Sequence, residues 1–112
     1  MSDVIEIEMT MEAYKQKIAK AEALNRLMDN KDFKEVILDS FMGQKRLLDL
    51  ATKRVAPNFQ DPVNKAYVEN QLSAVGALNM FMMLVEQEAA VAYEALASAE
   101  EERAMALEEA NA

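Results

Sequence analysis

The sequence contains no cysteine and no histidine. The lack of cysteine excludes disulfides, thiolate metal sites and a cysteine nucleophile. The lack of histidine removes the usual general base and the commonest transition-metal ligand. Serine–histidine–aspartate and cysteine–histidine catalytic arrangements, zinc fingers and the Glu-x-x-His di-iron sites of helical bundles are therefore ruled out. We expect a protein that is not an enzyme, with no catalytic residues, no metal and no cofactor.

Residues that interrupt a helix are also scarce, since the 112-residue chain has only two glycines and two prolines. Hydrophobic residues make up 52% of the chain, and alanine and methionine supply much of that share. Ala, Leu, Met, Glu, Lys and Gln lose little conformational freedom in a helix, so this composition favours helix throughout. The sequence predicts a single all-α domain over residues 1–112, built as a helical hairpin or three-helix arrangement with a long C-terminal helix.

Long hydrophobic runs are missing as well. The strongest, Met80 to Val85, is far shorter than the roughly 20 apolar residues that span a bilayer. The N-terminus has no basic region followed by an apolar stretch, which a secretory signal would need. We therefore expect no membrane partner and a protein that is cytosolic where it is made.

Positive charge is in deficit, and the net charge of −8 lies near the two ends of the chain. Residues 1–12 carry four acids and no base, whereas residues 86–112 carry eight acids and one base. Residues 13–85 carry eight acids and eleven bases. One interpretation is that glutamates keep a long alanine-rich helix soluble. The other is that the acidic face imitates a phosphate backbone and occupies an enzyme that binds nucleic acid.

Direct binding of nucleic acid is not expected. The only basic cluster, formed by Lys45, Arg46, Lys53 and Arg54, has no aromatic residues interleaved with it. These four residues fall on one helix at spacings of one and two turns. They are most simply interpreted as a solvated face.

The N-terminal half predicts two helical segments. Residues 4–11 alternate partly between apolar and polar, which fits either an extended arm over residues 1–10 or the first turns of a helix. An amphipathic helix follows from about Met11 to Asp29. Asn30 is predicted to adopt the left-handed conformation at its end, and Asp32 to cap the next helix. Gly43 marks a break or sharp bend in that second segment.

The clearest interruption of the helical pattern lies between residues 56 and 62. Asp61 followed by Pro62 is a strong signal for a helix start, with Asp61 as N-cap. Phe59, among turn residues, is predicted to fold back as a hydrophobic plug. From Pro62 onward only Gly76 interrupts the pattern, which allows one helix of nearly 50 residues, roughly 70 Å long. Residues 100–112 have few apolar side chains, and this acidic end is expected to fray in solution.

The middle of the long helix, residues 74–85, is apolar on almost every side. Such a segment must be buried on every side, and two preceding helices can cover only about half of its circumference. We expect the uncovered face to lie within Met80, Met82, Met83 and Leu84, and this face predicts contact with a second copy or a partner. The residues predicted to make interactions are Val75, Leu78, Met80, Phe81, Met82, Met83, Leu84, Val85, Tyr93 and Leu96.

A line of apolar residues continues beyond this segment. Leu78, Phe81 and Val85 are followed at helical spacing by small residues and by Leu96, which is consistent with side-by-side helices. Glu86 and Glu88 interrupt the flanking positions, so the sequence does not predict a regular coiled coil.

The chain resembles small helical proteins of tailed bacteriophages. The resemblance covers residues of about 20–85 and lies in Ala23 to Leu38, in the restart at Asp61-Pro62, and in Val75-Gly76-Ala77-Leu78. It implies a phage-encoded protein associated with virion or capsid assembly and without enzymatic activity. The methionine-rich run at Met80 to Leu84 and the acidic tail depart from that pattern, which leaves the specific role open.

Two functional hypotheses follow from these observations. The first is a phage structural or assembly protein that is homo-oligomeric, or that docks on a larger virion protein, through the long helix. It would be made in the host cytoplasm and carried in the virion. The alternative is an acidic phage accessory protein that binds and inhibits a host enzyme acting on nucleic acid. A third hypothesis, a minor enzyme subunit or chaperone-like protein using a methionine groove, ranks below both.

Overall fold

The computed structural model describes the backbone of residues 2–112 and the side chains of residues 3–112. The protein is all-α, as predicted. Helix α1 spans Ser2–Met28, and α2 begins at Lys31–Phe33 and continues as π-helical turns over Lys34–Phe41. Helix α3 spans Gln44–Val55, and a short 3₁₀ turn over Pro57–Phe59 leads to α4, which spans Pro62–Asn111. With 50 residues, α4 has the length that the sequence predicted.

The start of α1 resolves the ambiguity at the N-terminus. Residues 4–11 form its first turns rather than an extended arm. This stretch also contains Val4, Ile7 and Met11, which are spaced three and then four residues apart. This helical spacing places all three on one side of α1, where Val4 and Met11 are buried and Ile7 is half-buried.

Contacts group the chain into two compact units. One comprises Met1–Asn25 with Met83–Ala112, and the other comprises Arg26–Met82, so α4 contributes to both. The sequence predicted a single domain and did not anticipate this division. We call them the hairpin unit and the central unit.

Helix α2 of the central unit starts differently from the prediction. Asn30 has φ of −70° and ψ of 128°, which is extended rather than left-handed. Its side-chain oxygen accepts a hydrogen bond from the Phe33 backbone N–H at 3.0 Å, so Asn30 is itself the N-cap. Asp32 lies inside the first turn, where it complements the positive end of the helix dipole.

The π-helical turns end at Phe41, and Gly43 is the N-cap of α3, which confirms the predicted break. The Met42 backbone N–H donates to the Ile37 carbonyl at 2.8 Å, a bond that spans five residues instead of four. Gly43 then has φ of −65° and ψ of 150°, which any residue can adopt. Its lack of a side chain is required for another reason, because a Cβ atom would lie 1.9 Å from the Asp39 carbonyl oxygen.

Helix α4 starts as predicted. Asp61 accepts hydrogen bonds from the Asn64 backbone N–H at 3.1 Å and from the Asn64 side-chain amide at 2.8 Å. These bonds, the backbone one first, lower the pKa of the Asp61 carboxyl below its ordinary value of 3.8. Pro62 occupies the first helical position, where its missing N–H has no consequence.

Two arginines connect α3 to α4 within the central unit. The Arg46 guanidinium donates to the Phe41 carbonyl at 2.8 Å and also to the Gln71 side-chain carbonyl. Arg54 pairs with Glu69 at 2.8 Å. The basic cluster is therefore not a purely solvated face, because Arg46 and Arg54 tie together the two helices that carry the buried residues Leu50 and Val68.

Phe59 is only partly the plug that the sequence predicted. Its ring is half-buried, and the Lys53 ammonium lies 5.5 Å from the ring centre. Lys53 also forms an ion pair with Asp49 one turn earlier on α3, at 3.0 Å.

The hairpin unit is an antiparallel pair of helices. Glu8 of α1 pairs with Arg103 of α4 at 3.0 Å, and Glu22 accepts a long hydrogen bond from the Tyr93 hydroxyl at 3.5 Å. Rising numbers on α1 thus meet falling numbers on α4. Between the helices, Ala21 packs with Val85 and Ala89 and is covered by Leu24.

The buried residues of this pair follow a heptad pattern, in alternating steps of three and four. On α1 the buried or half-buried positions include Val4, Ile7, Met11, Tyr14, Ile18 and Ala21. On α4 they include Val85, Ala89, Ala92, Leu96, Ala99, Arg103 and Ala106, and the same steps extend back along the helix to Met82, Leu78 and Val75. This is the spacing of a coiled coil, which was not predicted from the sequence. We call these buried and half-buried positions of α1 and α4 the seam. Glu86 and Glu88 flank the seam and are exposed, so they do not interrupt it.

Candidate interaction surface

The residues predicted to make interactions do not form one surface. Val75, Met82 and Val85 are buried within the chain, and Leu78 and Leu96 are half-buried. The exposed members are Met80, Phe81, Met83, Leu84 and Tyr93. Part of the predicted set is therefore core.

The predicted exposures of Phe81 and Met82 are the reverse of those in the structure. Met82, predicted on the uncovered face, is only 8% exposed, whereas Phe81, predicted in the seam, is 58% exposed. Consecutive residues point about 100° apart on an α-helix, so a shift of one position decides which side chain is buried. The heptad register that runs through Val75 and Val85 selects Met82.

A line of exposed apolar residues runs along α4 in the hairpin unit. Leu84, Val91 and Met105 are 46%, 67% and 62% exposed, and Ser98 occupies the remaining position of the same line. These residues are spaced seven apart, which is about two helical turns, so they share one side of the helix. We call them the outer line. Of these residues, only Leu84 belongs to the set predicted from the sequence to make interactions, although the seven-residue spacing indicates the others.

Beside the outer line, the two helices of the hairpin unit enclose a groove of about 650 Å³. The α1 side is lined by Asp3, Glu6, Ile7, Thr10 and Tyr14. The α4 side is lined by Ala95, Ser98, Ala99, Glu102, Met105, Ala106 and Glu109. Most α4 side chains here are small, so the groove has room for an incoming side chain. Its apolar members are Ile7, Tyr14, Met105 and the alanines.

The groove is strongly acidic. Four carboxylates line it, at Asp3, Glu6, Glu102 and Glu109, and no lysine or arginine does. The antiparallel pairing also brings the two acidic termini to the same end of the unit. Residues 1–12 and 100–112 together hold nine acids and one base, whereas residues 13–99 hold eleven of each sign. The whole net charge of −8 therefore comes from the end of the unit that carries the groove.

The groove combines apolar side chains with carboxylates. An apolar ridge with basic flanks would bury its apolar side chains against Ile7, Tyr14 and Met105 and place its cations near the carboxylates. Within the described residues, no group of three or more acidic side chains is arranged to hold a metal ion. None of the helices described has the length and hydropathy of a membrane span.

A second depression lies in the central unit but is a weaker candidate. It is lined by Asp39, Ser40, Lys45, Arg46 and Asp49, which carry charges of both signs. One of its two cations, Arg46, is already committed to Phe41 and Gln71. The groove and the outer line are therefore the better candidate site.

Comparison of the chain with protein-family models, with curated proteins and with solved structures gave no match.

Proposed function

We propose that the protein is a non-enzymatic assembly protein that associates with copies of itself through the groove and the outer line of the hairpin unit. The observation that carries this proposal is the outer line, whose apolar side chains are exposed on α4 outside the seam. Scattered exposed apolar residues need no explanation, but a line of them beside a groove that also contains Ile7, Tyr14 and Met105 is typical of an interaction site.

The energetics favour association of moderate strength. Complete burial of a side chain such as valine or methionine contributes roughly 1.5–3 kcal/mol. Val91 and Met105, both more than half exposed, are the residues of the outer line with most apolar surface to bury. In a symmetric pair, both copies would bury their Val91 and Met105 side chains. The free energy gained from these four side chains can offset the several kcal/mol that association costs.

Introducing a charge into the outer line tests this proposal. We expect Val91→Glu to shift the protein toward the monomer at concentrations where the unaltered chain is associated, because a buried unpaired carboxylate is costly. The measurement is the absolute mass by light scattering during size exclusion. Gln87→Glu is the matched control, since it adds the same charge to an exposed polar position of α4. Equal masses for the two variants would contradict the proposal.

The biological setting of this assembly is part of the proposal. We place it in tailed bacteriophages, where the protein would be made in the host cytoplasm and would join the virion alone or on a larger structural protein. This placement rests on the sequence resemblance alone. Detection of the protein in purified phage particles would favour a virion component, and its absence there would favour a protein that acts only during infection.

One observation favours a second candidate, an acidic accessory protein that binds and inhibits a host enzyme acting on nucleic acid. The two acidic termini meet in the hairpin unit and so concentrate negative charge beside the groove. Binding of that kind would weaken steeply as salt screens the charges. Apolar association keeps or gains strength in salt, so the salt dependence separates the two candidates.

A further inference from the structure

We propose that the occupant of the groove is a second copy of the chain, packed in an antiparallel, twofold-symmetric arrangement with α1 against α1 and α4 against α4. This inference rests on the proposed self-association and specifies its geometry. In a twofold interface the same patch is used on both copies and must be complementary to itself. The hairpin unit meets this requirement on both of its helices.

On α1, the charges beside the groove are arranged in a self-complementary order. Residues seven apart share a side of a helix, so Asp3, Thr10 and Lys17 form one line and Glu6, Ala13 and Lys20 form the neighbouring line. Asp3, Glu6 and Thr10 line the groove, which places Lys17 and Lys20 on the same side, further along.

When two α1 helices pair in antiparallel order about a point midway between Thr10 and Ala13, the acids of one copy lie opposite the bases of the other. In that register Asp3 faces Lys20 of the second copy, and Glu6 faces Lys17. Asp3 and Lys20 are about 25 Å apart along one helix, so a single helix cannot pair them internally. Neither Lys17 nor Lys20 forms an ion pair in the described part of the chain, so both are available.

On α4, the part of the outer line from Val91 to Met105 is self-complementary in apolar contacts. Reversal about Ser98 brings Val91 of one copy against Met105 of the other, because each lies seven residues from Ser98. These are two of the most exposed apolar residues of the hairpin unit. Ser98 is small, as is Ala95 one turn before it, so two α4 helices can approach closely there.

The point about which α1 is reversed and the point about which α4 is reversed lie beside each other in the hairpin unit, which is the strongest support for this geometry. Thr10 and Ser98 line the same groove, so one twofold axis can pass close to both. The axis follows from charge order on α1 and from apolar spacing on α4, two independent patterns. A partner unrelated to this chain would have no reason to match both.

The charges and the apolar residues have different roles in this interface. Exposed ion pairs contribute little to affinity, but like charges placed opposite one another are unfavourable. The pairs on α1 therefore select the antiparallel register, whereas Val91, Met105, Ile7 and Tyr14 supply most of the affinity.

A charge exchange between two variants tests the arrangement. We expect Glu6→Lys alone and Lys17→Glu alone each to weaken self-association about tenfold, since each places two pairs of like charges across the interface. An equimolar mixture should recover much of the lost affinity, because the lysine introduced at position 6 of one variant then faces the glutamate introduced at position 17 of the other. The measurement is sedimentation equilibrium of each variant and of the mixture. Helix content by circular dichroism verifies that each variant is folded.

Matched controls lie on the same helix. Glu12→Lys and Lys15→Glu make the same changes of charge at exposed positions outside the two lines, and they should neither weaken association nor complement one another. Weakening without recovery in the mixture, or equal effects of the controls, would overturn the arrangement while leaving self-association in place. A chain that stays monomeric at every concentration would instead overturn the proposed function and the arrangement with it.

Discussion

Gly43 and Gly76 are the only glycines, and the structure predicts opposite outcomes when each is replaced by alanine. A Cβ atom at Gly43 would lie 1.9 Å from the Asp39 carbonyl oxygen and 2.8 Å from its carbon, and both are backbone atoms. Relief of that clash requires movement of the last π-helical turn. Such overpacking typically costs about 1–3 kcal/mol, and the upper end applies here because the obstacle is backbone. We therefore expect Gly43→Ala to lower the midpoint of thermal unfolding by roughly 10–20 °C.

Gly76 is the matched counterpart. It lies in the interior of α4, and a Cβ atom there would meet nothing within 4 Å. Alanine is favoured over glycine in a helix by about 1 kcal/mol, so Gly76→Ala should raise the midpoint by a few degrees. Circular dichroism followed on heating measures both variants. An unchanged midpoint for Gly43→Ala, or a lowered midpoint for Gly76→Ala, would contradict the backbone contact at Gly43 or the open space at Gly76.

Two further predictions concern the cap of α4 and the seam of the hairpin unit. Because the pKa of Asp61 is lowered in the folded state, its contribution to stability is present above pH 3.8 and declines as the pH falls through the lowered value. Asp61→Asn still caps the helix and should remove this decline in a series of thermal midpoints measured at different pH values. Asp61→Ala should lower the thermal midpoint at neutral pH. Ala92 is 1% exposed between the helices, so Ala92→Leu should destabilise the protein by about 1–3 kcal/mol in denaturant titration, whereas Ala97→Leu at an exposed position should change stability by less than about 0.5 kcal/mol. Equal effects of the two leucine substitutions would contradict the assigned seam.

The elements predicted from the sequence are those fixed by local chemistry. The start at Asp61-Pro62 depends on a carboxylate acting within one turn, and the break at Gly43 depends on a residue that weakens helix. Both are visible in a few consecutive letters. The length of α4 followed because no residue after Pro62 terminates a helix until Asn111.

The errors arose where packing over long separations decides between local alternatives. The contacts of Arg46 with Gln71 and of Arg54 with Glu69 join residues that nothing in the sequence relates, so a surface bonded to a second helix has the sequence pattern of a solvated one. The π-helical turns likewise have no residue signature. In Asn30 the capping tendency prevailed over the left-handed one, since both are properties of asparagine and the neighbouring helix selects between them.

The candidate site could be predicted only in part. The heptad pattern decides that Met82 is buried and Phe81 is exposed, and this pattern is present in the sequence. Its register cannot be recognised there, because residues 74–85 are apolar on almost every side. The groove could not be predicted, because it exists only once α1 and α4 pair in antiparallel order. That pairing also joins the two acidic termini, whose charges appeared unrelated along the chain.

Self-association of the unaltered chain is the central claim, and the measurement that tests it most directly is its absolute mass as the concentration is raised. One copy has a mass of 12.6 kDa. We expect light scattering or sedimentation equilibrium to show a rise toward twice this mass, and we expect the larger species to persist at high salt. A single species of 12.6 kDa up to the limit of solubility would contradict it.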